Sequence, residues 1–436
     1  MRSPQRAAGA VSLFLITTFS LWGPFGALGG VAQAAPTPLP VPITQQLTAG
    51  WVARQLDASG GNIINSSTGQ TDYTRVANAV WSLAGAGVAR NQIQTAVGFL
   101  ESAGEAYIGP ASDAAKQWAR IATVALTLAI AGQDPTAYPT GAGATRDLTA
   151  ELRGGIAADG TPGPDATGYN GALAVLALAR TREGAPANLV AWLKAQPCAD
   201  PASANHGAFG FTGAGSCDSG DTDSTALAIQ GLLAGGVPAS DPVLAAAGSY
   251  LEANQDPSGG WGIPGLTPAN VNANSTGLVV QALRALGSPK VDAGEKFLLS
   301  LTVGCDRADP ADPTRPAALG AMVYDAAGLA SLDPANPSPE AQRAALEASV
   351  QGLLGLGAAP LGDLSAATAT TDVPNGAVCL TDSPTIPAGE NAVIPISEPL
   401  QPGRSPAGWW IGGGVAVVLL AGGLAGIVLG RRHLKI

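Results

Sequence analysis

The apolar and polar positions of this chain recur on a long period. Polar residues from Asp221 to Thr225 lead into an apolar run, Ala226 to Leu233, which stops at Gly235-Gly236. The pattern returns 51 residues later, from Asn272 to Gly287, with seven of sixteen positions identical and no gap. Asp, Asn, Ser or Thr before an apolar run supplies an N-cap and glycine after it a C-cap, so each copy predicts one helix. A fixed period of this length marks a repeat architecture, whose units bury their apolar faces only against their neighbours.

Along the rest of the chain two kinds of helix alternate. Helices are predicted over 44–57, from Thr71-Asp72-Tyr73-Thr74 to Gly85-Ala86-Gly87, and over 91–102, 116–131, 147–156, 169–179 and 189–194. One kind is Ala-rich and apolar on nearly every side. The other carries a single stripe, such as Ile93, Val97 and Leu100. The first kind belongs inside and the second at the surface, which predicts an all-α body of two concentric layers. With Asp223 as reference, the repeat sets Asp72, Tyr169, Asn274 and Asp325 at equivalent inner-helix starts, gathered at one mouth. The helix over 341–356 echoes Ile229 to Leu233, and its layer is left open.

The two ends of the sequence change the setting. Arg2 and Arg6, the apolar stretch from Ala10 to Leu21, and Ala32-Gln33-Ala34 predict a cleaved signal peptide over 1–34. A Pro-rich leader over 35–43 follows. Residues 44–383 are assigned to the repeat body and 384–408 to a Pro-rich stalk. Trp409 to Gly430 is uncharged and long enough to span a bilayer, with Arg431, Arg432 and Lys435 behind it in a short tail, 431–436. The expectation is a single-pass cell-membrane protein with its body outside and its C-terminus in the cytoplasm. Between Ala35 and Gly408 there are 17 basic against 32 acidic residues, a balance of 17 − 32 = −15. So acidic a surface repels phosphate backbones and argues against a nucleic-acid partner.

Export also bears on the four cysteines, an even number in an oxidising compartment. Three pairings are open. Cys198–Cys217, pinning a local loop, and Cys305–Cys379, tying a late segment back to the body, are favoured. The C-x-x-C spacing and histidine set of a zinc site are absent, and no metal is expected.

The alternation of a capped Ala/Leu helix with an outer helix ending in Gln255-Asp256-Pro257-Ser258-Gly259-Gly260-Trp261-Gly262 resembles the prenyltransferase and squalene-cyclase repeat. Gln55 to Gly61 and Gln196 to Phe211 are weaker forms of it. The resemblance covers roughly residues 44–357 and implies an α6–α6 toroid, two rings of six helices around a central cavity. The toroid domains of intrinsic factor and transcobalamin, which carry vitamin B12, are similar.

Three functions follow from these readings. Ligand binding without chemistry is preferred, because Asp72, Tyr73, Tyr169, Asn170, Asp221, Asp223, Asn272, Asn274, Ser275, Tyr324 and Asp325 ring the expected mouth. Similarity to the vitamin B12 carriers suggests a corrinoid, handed on to a membrane transporter, with His206 as a cobalt ligand. No other cofactor is expected. The second function is terpene cyclisation. Asp221-Thr222-Asp223-Ser224-Thr225-Ala226 keeps the middle Asp of the cyclase Asp-x-Asp-Asp-Thr-Ala motif, although aromatic residues to steady carbocations are few. An N-cap role for Asp223, shared with its counterpart Asn274, is the plainer account. The third function is a structural or adhesion module of the cell surface.

Overall fold

The protein is described by a computed structural model covering residues 40–140, 143–163, 167–210, 215–264, 270–307 and 317–379. The predicted signal peptide, stalk, membrane span and tail lie outside these residues. Among the described residues no helix is long and apolar enough to cross a membrane.

Helices dominate. One set comprises α2 (Tyr73–Ala86), α5 (Trp118–Ile130), α7 (Gly168–Leu178), α9 (Thr222–Ala234), α11 (Ala273–Ala285) and α14 (Pro339–Gly355). The other comprises α1 (Val41–Ser59), α3 (Arg90–Ala103), α6 (Leu148–Gly154), α8 (Ala187–Lys194), α10 (Pro242–Ala253) and α12 (Val291–Ser300). Two short helices, α4 (Glu105–Ile108) and α13 (Ala326–Ser331), sit in connections. Among the described residues strand is confined to two small antiparallel pairs, β1 (Tyr138–Pro139) with β2 (Thr145–Arg146) and β3 (Trp261–Ile263) with β4 (Asn270–Asn272).

Burial separates the two sets as the apolar pattern predicts. In α7 every residue except Asn170 is buried, whereas α8 buries only Leu189 and Leu193. The neighbours of the first set form a closed cycle: α2 packs on α5, α5 on α7, α7 on α9, α9 on α11, α11 on α14, and α14 returns to α2. Each member of the second set rests on two of the first, with α3 on α2 and α5, α10 on α9 and α11, and α1 on α14 and α2. Small residues let the first set approach. A Cβ on Gly277 of α11 would stand 2.2 Å from the Gln351 carbonyl oxygen of α14.

The Gly-Gly-Trp segment joins the layers. The backbone N–H of Trp261 bonds the Thr276 hydroxyl at 2.9 Å, and Phe209 and Met322 repeat this bond with Thr225 (3.0 Å) and Ser349 (2.9 Å). Gly259, at φ 94°, presses its backbone on α12, where a Cβ would lie 2.5 Å from the Ala293 carbonyl oxygen. Gly207 against α10 and Gly320 against α1 do the same.

These rhymes correct the register of the sixth unit. Ser349 matches Thr276, four residues after the cap Asn272, so the sixth cap position falls on Ala345, inside α14. The helix continues two turns further, to its cap Ser338. It therefore belongs to the first set, which the sequence left open, and Asp325 caps the short α13 instead of an inner helix. At the front, α1 begins at Val41 within the expected Pro-rich leader, because a proline in the first turn gives up no helical hydrogen bond.

After α14 the chain becomes a strap across the C-terminal ends of the first set. Gln281 donates to the Ala359 carbonyl at 2.6 Å, and Gln230 accepts from Leu361 N–H at 2.8 Å. These are the glutamines shared by the two aligned repeats. Arg180, past the end of α7, donates to the Leu364 carbonyl. Thr370 exchanges backbone bonds with Gly87 and Arg90, and Arg54 of α1 holds the Pro374 carbonyl at 2.9 Å. Its own Leu361, Leu364, Ala366 and Ala369 are buried. Cys379 in the strap bonds Cys305, and Cys198 bonds Cys217; both pairings are those favoured from the sequence.

Two outcomes are expected. Gly259→Ala combines positive φ with a backbone clash and should cost about 2 kcal/mol or more in denaturant unfolding. Reducing Cys305–Cys379 should open the strap to limited proteolysis between 364 and 379 while the helical circular dichroism persists, with cleavage read by mass spectrometry.

Candidate functional site

The N-terminal ends of the first-set helices carry the polar groups. Asp221 caps α9, accepting from Ser224 N–H at 2.6 Å, and Asn272 caps α11, accepting from Ser275 N–H at 2.9 Å. Asp72 caps α2, accepting from Arg75 N–H at 3.0 Å and from the Asn65 amide at 3.3 Å. Asp325 accepts from Gly328 N–H at 2.8 Å. All four carboxyl or amide groups do structural work at a helix start.

Asp223 and Asn274 do not. The N-cap role expected of them belongs to the residues two places earlier. Both sit at the second helical position, and Tyr169 holds the same place in α7, whose cap is Thr167. Freed from capping, Asp223 Oδ1 and Asn274 Oδ1 are buried with no hydrogen-bond partner in the protein. Asn274 is 7% exposed. Asp72 and Asp325 are thus two residues out of register with Asp223.

The surroundings of Asp223 are strongly coupled. Burial, then the charge of Asp221, push its carboxyl up to about 7, against pulls from the Ser275 hydroxyl, the Arg75 guanidinium and the Thr222 hydroxyl. Burial likewise raises Asp221, against its bonds from Ser224. Burial raises Tyr169 and Tyr324, and the charge of Asp223 adds to both. Tyr324 also accepts from the Asn270 amide at 3.1 Å. Asp221, Asp223, Tyr169, Ser275 and Tyr324 therefore share one site, with Asn274 next in sequence to Ser275.

Two participants escaped the sequence reading. Arg75, buried in the first turn of α2, donates to Gln351 of α14 and to Asn78, and its Nε has no partner. Tyr107 of α4 bonds the Thr74 hydroxyl at 3.0 Å, stacks on Tyr73 at 5.1 Å and lies beneath the Arg120 guanidinium. A buried arginine in an otherwise small-residue helix was the available signal for Arg75. Tyr73 turns toward Phe99 of α3, 6.0 Å away, which places it on the outer side of α2. Asn170 is half-buried next to Tyr169. His206 stands apart: it is exposed, and among the described residues no side-chain bond ties it to the cluster. Among the described residues there is also no group of three or more side chains able to hold a metal ion.

A cleft of about 620 Å³ opens at the opposite ends, between α5, α6 and α7. Several of its charged groups are already bonded. Arg153 pairs with Glu183 at 3.1 Å, Asp134 accepts from Thr136, and Asp147 from Thr149 and Ala150. The Asp223 end is the stronger candidate because first-turn polar groups of several first-set helices act on one carboxyl there, and Asp223 Oδ1 and Asn274 Oδ1 are each buried at a cost of about 1–3 kcal/mol.

The raised carboxyl has a pH signature. The folded state binds the Asp223 proton more tightly than the unfolded chain does. Its contribution is full below the ordinary value of 3.8 and is lost as pH rises through about 7. Asp223→Asn removes that loss. Its melting temperature relative to wild type should therefore climb between pH 4.5 and pH 8, and a flat difference would contradict the burial assigned to this carboxyl. No family model and no curated protein matches this chain, so the site stands on its own geometry.

Proposed function

We propose that the two helix sets form an α6–α6 toroid of the prenyltransferase and squalene-cyclase kind, and that its mouth binds a polar small molecule outside the cell without transforming it. The closed cycle of helix neighbours supports the toroid. The observation that carries the binding reading is the pair Asp223 Oδ1 and Asn274 Oδ1. Two successive repeats bring an acceptor to the same position and leave it without a partner. A ligand that donates to both would recover the energy lost in burying them.

A corrinoid is the first ligand to test, since its rim of amide groups supplies such donors and the similar toroids of the vitamin B12 carriers bind one. On this reading the C-terminal helix anchors the protein in the membrane, where a transporter would receive the ligand. His206, exposed and away from the cluster, is then dispensable.

Acid catalysis is the second reading, favoured by one observation: Asp223 keeps its proton to about pH 7, as a general acid must. Protonating an alkene calls for a far stronger acid, however, and a carboxyl weakened by burial is poorly suited to it. Binding therefore ranks first.

The test is mass spectrometry of what co-purifies with the full-length chain and with an Asp223→Leu, Asn274→Leu double variant. A polar molecule retained by wild type and lost from the variant is expected. Identical spectra would leave the structural-module reading in its place, and a cyclic product from squalene that needs Asp223 would establish catalysis.

A further inference from the structure

The cleft between α5, α6 and α7 has a chemistry of its own, apart from the Asp223 end. Three guanidinium groups line its space of about 620 Å³. Arg153 comes from the last turn of α6, and Arg180 and Arg182 lie just past the end of α7. Direct bonds hold these elements together. Arg153 Nη2 donates to the Thr181 hydroxyl at 2.7 Å and to the Gly184 carbonyl at 2.8 Å, and its Nε meets Glu183 at 3.1 Å. The Arg153 head is thus fixed against the segment that carries the other two arginines.

Three carboxylates line the same cleft, and two of them are committed. Asp134 accepts from Thr136 N–H at 2.9 Å, and Asp147 accepts from the N–H groups of Thr149 and Ala150 at 3.0 and 2.9 Å. Each therefore holds the start of a helical turn. Glu183 differs. Its side chain is 73% exposed, and an ion pair so open to water is worth only about 0–1 kcal/mol. Arg182 is exposed, and among the described residues no hydrogen bond or ion pair engages it. Arg180 is 6% exposed and holds the Leu364 carbonyl of the strap. Burial pushes its guanidinium down, against the pull of Asp363. A negative charge arriving in the cleft would offset that burial.

Three cations now face three carboxylates, so a ligand carboxylate standing in the place of Glu183 keeps the balance. A doubly charged phosphate would tip it to the negative side beside Asp134 and Asp147, and an ammonium would meet three like charges. Guanidinium presents a planar fork of donors that fits a carboxylate. Ala129, Pro135 and Ala150 line the same space and suit an apolar body. We propose that this cleft is a second ligand site, for a small organic carboxylate held by Arg153 and Arg182 beside Arg180, and that Glu183 competes with the ligand for Arg153.

The full-length chain is titrated with benzoate, benzamide and inorganic phosphate by ligand-observed NMR, at neutral pH and constant ionic strength. Benzoate should bind at least about tenfold tighter than benzamide, its neutral counterpart. Arg182→Gln should weaken benzoate about threefold to tenfold, whereas Glu183→Gln should tighten it about twofold to fivefold by removing the competitor. Both side chains are exposed, and melting curves confirm that the variants are folded. A merely structural role for these charges gives no such tightening. Benzoate weakened by Arg182→Gln but indifferent to Glu183→Gln would overturn the competition. Phosphate binding tighter than benzoate, and weakened by Arg182→Gln, would overturn the carboxylate and keep an anion site. Benzoate that binds no tighter than benzamide, or that ignores both substitutions, would overturn the site itself. None of these outcomes bears on the Asp223 end, whose test is separate.

Discussion

Parallel packing of small-residue helices is the constraint from which the rest of the structure follows. Helices that run side by side in one direction leave their unpaired backbone N–H groups at one end and their unpaired carbonyls at the other. The chain treats the two ends differently. At the N-terminal end, side chains supply the partners: Asp72, Thr167, Asp221, Asn272 and Ser338 each accept from a first-turn N–H. At the C-terminal end the strap supplies backbone and buried apolar side chains, held by Gln230, Gln281 and Arg180. Within the first-set helices, polar chemistry therefore accumulates chiefly at one end.

Capping claims only some of these polar residues. In α9 and α11 the polar residues are doubled. Asp221 and Asn272 take the caps, and Asp223 and Asn274, two places on, are released. A residue at the second helical position has no local N–H to accept from, so its side chain must find a partner elsewhere or do without. Asp223 finds hydroxyls of Ser275 and Thr222, yet its Oδ1 and the Oδ1 of Asn274 do without, and a fold selected for stability alone would carry apolar residues there.

Much of this was legible in the sequence because its carriers are local. The period, the caps, the two helix types and both disulfide pairings depend on residues close together or on counting. The Gly-Gly-Trp segment was readable as a motif, though its use of Gly259 against Ala293 was not. What failed was register. Asp72, Asp223 and Asp325 look alike in sequence, but only the hydroxyl bonds from Thr225, Thr276 and Ser349 to the preceding segment show which positions correspond. Those bonds also reveal why α14 escaped assignment, since its cap lies two turns beyond the repeat.

The site itself was half legible for a similar reason. Asp223, Asn274 and Tyr169 lie on the repeat and could be lined up, whereas Arg75 and Gln351 are separated by 276 residues and meet only because α14 closes on α2. That meeting brings a buried cation to the Asp223 end. Without Arg75 the pair Asp221 and Asp223 would form an acidic pocket suited to a positive ligand. With it, one positive charge acts against two carboxyl groups. On the binding reading proposed above, ring closure is thus also what tempers the preference of this end for a cation.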